Sequence, residues 1–181
     1  DRLFEEVDTV LGDRIPDMDD MDRLPWTKAC VEEAMRVDSP VWTVGRQALG
    51  DDEVCGYRIP KDASVMVLIS LIHRDPAIWP NPEGYDPSRF LPENAKGRPR
   101  HAYMPFGAGR RVCVGSTFAT VEATLLAAMI SRRLRFDLPR GAEVEAEASI
   151  TLRPKHGLPM HVFHRQHDPV PEDAPEPDLA A

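Results

Sequence analysis

The chain has 181 residues, a length that predicts one domain or slightly more. Its 22 Lys and Arg against 30 Asp and Glu give a net charge of −8, which argues against a nucleic-acid-binding protein, since such proteins show a basic surface. No run of about 18 apolar residues occurs, so no transmembrane segment is predicted. The 3 cysteines include no Cys-x-x-Cys pair, which favours a reducing compartment, and we expect a cytoplasmic protein.

The first third of the chain predicts two helices separated by a loop. Apolar residues at helical spacing lie over 3–11, and Gly12 can end that helix. The stretch 13–22 contains five aspartates and one proline, and it predicts a loop. Pro25 suits the first turn of a second helix that runs from about Trp26 to Val37.

The middle of the chain predicts strands followed by a proline-rich segment. Residues 49–65 alternate strand and turn patterns, and the apolar run 63–71 predicts a buried strand or a strand leading into a helix. Seven prolines and five aromatic residues then fall within 76–106. Because each proline removes a backbone donor, we expect an ordered segment without regular helix or central strand.

The last third predicts a long helix, short strands and a tail. The helix covers 115–133, with an apolar face formed by Phe118, Val121, Leu125, Ala128 and Met129. Residues 134–163 alternate apolar and polar side chains, which indicates short strands. The acidic, proline-rich stretch 166–181 has too few apolar side chains to form a core and is predicted to be disordered.

The chemistry of the chain is concentrated in the segment 106–115. Three of its ten residues are glycines, and Cys113 stands just before the long helix, beside Arg110 and Arg111. A helix N-terminus and neighbouring arginines stabilise a thiolate, which serves as a nucleophile or a metal ligand. Alternatively, Cys113 is a small buried hydrophobic residue, as we expect for Cys30 and Cys55. A nucleophilic cysteine would need a histidine base, and His101 is the nearest in sequence.

Four motifs in order resemble the cytochrome P450 superfamily. The pattern Phe106-x-x-Gly109-x-Arg111-x-Cys113-x-Gly115 is similar to the haem-ligand signature of that family. The remaining three are similar to its Glu-x-x-Arg helix, the run leading to its meander and its Pro-x-Arg-Phe segment, here residues 33–36, 73–82 and 87–90. The proline-rich segment then resembles the family's meander.

This resemblance implies a fold, an activity and a cofactor. The fold is mainly α with small β-sheets (α+β), of which residues 1–165 would form the C-terminal part. The activity is insertion of one oxygen atom from O2 into a small apolar organic substrate, with electrons from a redox partner. The cofactor is haem b (iron-protoporphyrin IX), with the Cys113 thiolate as iron ligand.

The resemblance also assigns roles to residues around the ligand. Glu33 and Arg36, three apart on one helix, would join Arg89 in a buried structural triad; the alternative is a solvated surface pair. Phe106 and Gly107 would pack against the cofactor, or Phe106 would serve ordinary core packing. Partners for the haem propionates are Arg111, Arg46 and His101. Arg46 could instead be a surface residue.

The segment that follows the helix containing Glu33 and Arg36 is expected to contact substrate. Its residues Val41, Trp42 and Thr43 would lie near the distal face, and Ile150 would approach the same pocket. Trp42 could narrow that pocket or simply fill the core. Where the family commonly has paired prolines, this chain has Ser39-Pro40.

A basic stretch leads to the ligand loop and contains Lys96, Arg98, Arg100, Arg110 and Arg111. In the family the proximal face receives electrons from a ferredoxin or a flavin reductase, and opposite charge would speed that encounter. The alternative is a solvated face without a partner.

The family's oxygen-activating helix matches no segment of the chain. We therefore expect a fragment that contains no catalytic residue of that helix and is inactive alone. The alternatives are a non-catalytic truncated haem-binding chain and a family member that is driven by peroxide or isomerises its substrate.

Overall fold

The computed structural model of the chain describes residues 1–165, so the predicted tail 166–181 lies outside the described residues. Five α-helices occur in this range: α1 Arg2–Leu11, α2 Pro25–Val37, α3 Ile69–Ile72, α4 Pro92–Ala95 and α5 Ser116–Arg133. Turns of 3₁₀ helix lie at Met18–Arg23, Pro87–Phe90 and Gly109–Arg111. None of the helices in this range is long and apolar enough to cross a bilayer.

The strands of residues 1–165 pair antiparallel as four two-stranded sheets. The pairs are β1 Thr43–Gln47 with β4 Ser64–Leu68, β2 Asp52–Val54 with β3 Tyr57–Ile59, β5 Leu134–Asp137 with β8 His161–His164, and β6 Ala146–Ala148 with β7 Leu152–Pro154. The short strands predicted over 134–163 are therefore present. The combination of helices and small sheets is the predicted fold class.

The core of the described part lies where α1, α2 and α5 meet. Val7, Leu11, Leu24 and Ala128 form one buried cluster there. No side chain at its own N-terminus caps α2, because Leu24 occupies that position. Glu6 of α1 supplies the missing acceptor. Its carboxylate accepts hydrogen bonds from the backbone N–H of Trp26 at 2.8 Å and of Thr27 at 2.7 Å.

Three element predictions are corrected. The aspartate-rich stretch 13–22 is not a loop throughout, because the Asp17 side chain caps the 3₁₀ turn that starts at Met18. The run 63–71 is a strand leading into a helix, as one alternative held, but β4 is not buried on both faces, since Met66 is 56% exposed. The proline-rich segment contains α4 and a 3₁₀ turn, which both begin at a proline, where a helix needs no donor.

The buried side of α5 also differs from the predicted face. Thr124, Ala128 and Arg132 are buried, whereas Phe118 is 70% and Met129 is 40% exposed. The apolar residues of α5 itself are distributed over all of its faces. Their spacing alone therefore does not select the face that packs on α1 and α2.

Candidate functional site

The segment 106–115 closes into a tight loop in front of α5. The backbone N–H of Cys113 donates to the carbonyl of Phe106 at 3.0 Å, which joins the two ends of the loop. Gly107 and Gly109 have φ values of 74° and 73°, a left-handed conformation that favours glycine. The loop therefore holds Cys113 at a fixed place immediately before the helix.

Cys113 is exposed, so its interpretation as a buried hydrophobic residue is wrong. Its neighbours in sequence include exposed apolar residues: Val112 is 50%, Val114 is 102% and Phe118 is 70% exposed. A Cβ at Gly115 would lie 3.9 Å from the Cys113 Sγ, which is an ordinary van der Waals contact, so glycine here leaves the sulfur without a neighbour on that side. An exposed thiol on an apolar surface suits a large apolar group that binds through sulfur.

His101, the histidine nearest to Cys113 in the sequence, is not hydrogen-bonded to the Cys113 thiol within the described residues. His101 instead lines an open cleft beside the loop. Of the two roles for a stabilised thiolate, the geometry favours the metal ligand.

The cleft beside the loop has a volume of about 430 Å³ and brings together distant parts of the chain. Arg46 of β1, His101 and Gly107 all line it. A guanidinium and an imidazole at one cleft can bind carboxylates. Arg111 is exposed on the 3₁₀ turn and is not among the residues that line this cleft.

Glu33, Arg36 and Arg89 meet beneath the proline-rich segment. Glu33 and Arg36 are completely buried, and the Arg36 Nε and Nη2 atoms donate to the two Glu33 carboxylate oxygens at 2.8 and 2.9 Å. The Arg89 Nε lies 3.3 Å from the Glu33 Oε1, and the backbone N–H of Asp86 donates to the same oxygen at 2.8 Å. The carboxylate therefore accepts three hydrogen bonds and forms an ion pair with Arg89, whose Nε makes no hydrogen bond within residues 1–165, and the pair is not a solvated surface pair.

Arg36 extends this cluster into the proline-rich segment. Its Nη1 donates to the carbonyls of His73 at 2.8 Å and Pro82 at 2.7 Å, and its Nη2 donates to that of Gly84 at 3.0 Å. These bonds hold a segment that has few backbone hydrogen bonds of its own.

The predicted substrate residues lie on two segments that are in contact. The Trp42 indole N–H donates to the Ser149 carbonyl at 2.8 Å. Ile150, beside Ser149, is 94% exposed, and Val41 is 37% exposed. Thr43 is half-buried and its hydroxyl donates to the Val67 carbonyl at 3.2 Å. The half-buried Trp42 thus links 41–43 to the Ile150 turn and is not an ordinary core residue.

The contacts of Arg98 and of the Ser39–His73 pair were not predicted from the sequence. Arg98 was placed with the exposed basic residues, but its guanidinium lies 4.4 Å from the centre of the Trp79 ring, and it donates to the Arg89 carbonyl. Ser39 and His73 are both completely buried and hydrogen-bonded to each other at 2.8 Å. In the sequence, the only sign of this pair was Ser39-Pro40, which stands where the family commonly has two prolines.

The prediction that Cys30 and Cys55 are buried is also corrected. Cys55 is exposed in the turn between β2 and β3, with φ of 52°, and Cys30 is only partly buried. Burial still raises the pKa of the Cys30 thiol to about 11, so it stays protonated.

Comparison with known proteins supplies the family. Residues 1–159 match the family model described as Cytochrome P450. The chain is 48% identical over 166 residues to "Putative cytochrome P450 132" of Mycobacterium tuberculosis, covering 92% of this chain and 35% of that protein. It is 39% identical over 159 residues to "Cyclooctatin synthase" of Streptomyces melanosporofaciens, covering 87% and 35%. The chain spans about a third of the length of these relatives.

A solved structure agrees with the fold. The heme domain of cytochrome P450DA is similar with a TM-score of 0.84 and 33% sequence identity. The similarity covers 94% of this chain and 39% of that chain.

Proposed function

Because the chain belongs to the cytochrome P450 family, we propose that it forms the cysteine-ligand side of a haem-thiolate monooxygenase site. The observation that carries this proposal is the glycine-closed loop that presents the exposed Cys113 thiol on an apolar surface. The chain covers 35% of the cited relative, so the activity of the whole protein is part of the proposal.

The proposed cofactor is haem b, held by residues on both sides of the loop. Cys113 would supply the single thiolate ligand, and Phe106 and Gly107 would pack against the macrocycle. Arg46 and His101, which line the cleft, would bind the propionates, and Arg111 would bind one from the 3₁₀ turn. When bound, haem with a thiolate ligand supplies reductive activation of O2 and insertion of one oxygen atom into the substrate.

The chain's own contribution would be to present the sulfur at the start of α5 and to shield it from water once the cofactor is bound. Cys113 stands three residues before Ser116, the first residue of α5, and the positive end of a helix would favour a thiolate that serves as a metal ligand. Arg110 adds a nearby positive charge. Val112 and Val114, which flank Cys113 in the sequence, are exposed apolar residues that would help to exclude water once a cofactor covers them.

The proposed substrate is a small apolar molecule. Val41 and Ile150 offer apolar surface, and the Trp42–Ser149 hydrogen bond holds their segments together. Thr43 would lie at the edge of this surface, because its hydroxyl is bonded to the neighbouring strand.

The proposed partner is an electron donor, a ferredoxin or a flavin reductase, in the cytoplasm. The exposed basic residues near the loop are Lys96, Arg100, Arg110 and Arg111. They would attract an acidic donor to the side on which Cys113 lies. Arg98 is excluded from this surface, because its guanidinium packs on Trp79 and Phe90.

The reduced, CO-bound absorption spectrum tests the proposal on the natural gene product that contains these 181 residues. The wild-type protein is expected to show the red-shifted Soret band of a thiolate ligand, and Cys113→Ala is expected to lose it. Cys55→Ala is the matched control, because Cys55 is also exposed but lies in a distant turn. A Cys113→Ala protein that keeps the band, or a haem-loaded wild type without it, would refute the proposal.

A further inference from the structure

We propose that His73 is a positioning residue for the Cys113 loop, because its neutral imidazole connects Ser39, beyond the end of α2, to the backbone N–H of Met104. This inference rests on the proposed function, in which the loop presents its thiolate to iron. His73 itself touches neither Cys113 nor the cleft.

The contacts of His73 are short and lie in the interior. Its ring is completely buried, with Nδ1 at 2.8 Å from the Ser39 Oγ and Nε2 at 2.9 Å from the Met104 backbone nitrogen. The ring also stacks on Tyr103, with centroids 5.3 Å apart. The backbone is fixed as well, since Arg36 donates to the His73 carbonyl.

These partners allow one protonation state. The Ser39 hydroxyl donates its single hydrogen to the Met35 carbonyl at 2.8 Å, so it accepts from His73 Nδ1–H. The Met104 backbone group can only donate, so Nε2 must carry a lone pair. His73 is therefore a neutral imidazole with its hydrogen on Nδ1.

A short path of backbone hydrogen bonds leads from Met104 to the ligand. The Met104 carbonyl accepts from the backbone N–H of Gly107 at 2.9 Å, which closes the first turn of the loop. The Phe106 carbonyl then accepts from the backbone N–H of Cys113 at 3.0 Å. A displacement of Met104 therefore changes the position of Cys113 through two hydrogen-bonded turns.

Two amide substitutions separate this role from simple packing. In His73→Gln the amide oxygen reaches the former position of Nε2 and can accept from Met104. In His73→Asn the shorter amide can still donate to Ser39, but it does not reach Met104. Both variants replace the ring by an uncharged amide, and each keeps one of the two links: Gln keeps the link to Met104 of the loop, and Asn keeps the link to Ser39.

The readout is the ratio of thiolate-type to thiol-type Soret bands in the reduced, CO-bound natural gene product, measured with haem content. His73→Asn is expected to lower the ratio about tenfold, which corresponds to about 1.4 kcal/mol, within the range for a buried donor without a partner. His73→Gln is expected to stay within about twofold of wild type, since the donor keeps an acceptor. Equal ratios in the two variants, whether native-like or reduced, overturn the inference.

A measurement on the wild-type protein covers the case in which a variant fails to fold. Nitrogen-15 NMR of the diamagnetic, CO-bound protein is expected to show a protonated Nδ1 and an unprotonated Nε2 at His73. The opposite tautomer or a doubly protonated ring overturns the inference. A wild type with haem but no thiolate band instead refutes the proposed function, and the role of His73 with it.

Discussion

Glu33→Gln is the substitution to which the described structure should be most sensitive. The carboxylate is completely buried, accepts hydrogen bonds from Arg36 Nε and Nη2 and from the Asp86 backbone N–H, and forms an ion pair with Arg89. A glutamine amide offers one oxygen to these donors and turns an N–H2 group towards the others. Arg36, which is equally buried, would then carry an uncompensated charge.

The expected loss in the free energy of unfolding follows from this burial and these contacts. Removing one partner of a buried ion pair costs about 3–5 kcal/mol, because the remaining charge stays away from water. Arg36 also holds the carbonyls of His73, Pro82 and Gly84, so its displacement would loosen the proline-rich segment. We therefore expect Glu33→Gln to lower the free energy of unfolding by about 4 kcal/mol.

Urea unfolding of the natural gene product, followed by circular dichroism, measures this loss. Glu32→Gln is the matched control, since Glu32 is the adjacent carboxylate on α2 and lies 3.8 Å from Lys28. Burial raises the pKa of Glu32, so its charged form is already disfavoured, and the control should change stability by less than about 1 kcal/mol. Equal losses in the two variants would refute the buried-triad argument.

Two further predictions concern His73 and the basic surface. Burial, with the charges of Arg36 and Arg74, lowers the pKa of His73 from 6.5 to about 4. The neutral imidazole therefore contributes fully to the free energy of unfolding above pH 6.5, and this contribution is lost as the pH falls towards 4. Urea midpoints across this range should fall less in His73→Gln than in wild type; identical profiles would contradict the prediction. Arg110→Glu should slow reduction by an acidic electron donor about tenfold at low salt, whereas Arg140→Glu, also exposed but outside the basic stretch, should not. Equal rates in these two variants, measured by stopped flow, would exclude docking at Arg110.

Short-range patterns predicted much of this structure. The bounds of α2 followed from Pro25 and the helical spacing that ends at Val37. The glycines around Cys113 predicted a tight loop because two of them occupy backbone conformations that favour glycine. The contact of Arg89 with Glu33, 56 positions earlier in the chain, came from the family resemblance and not from any local pattern.

Contacts that join distant segments were not predictable in this way. His73 is one residue in a polar run, and nothing in its neighbours shows that Ser39 and Met104 lie at its two ring nitrogens. Arg98 resembles its basic neighbours in sequence but stacks on Trp79, because a guanidinium packs well on an aromatic face. On the buried side of α5 the sequence predicted Ala128 correctly, but it did not predict Thr124 and Arg132, because polar side chains do not follow an apolar pattern.

Iron K-edge X-ray absorption of the haem-loaded natural gene product tests the central claim most directly. The claim is that the Cys113 sulfur binds the cofactor iron. The account predicts one sulfur neighbour of iron in the wild type and in Cys55→Ala, and none in Cys113→Ala. A sulfur neighbour that persists in Cys113→Ala, or a wild-type iron with only nitrogen and oxygen neighbours, would contradict it.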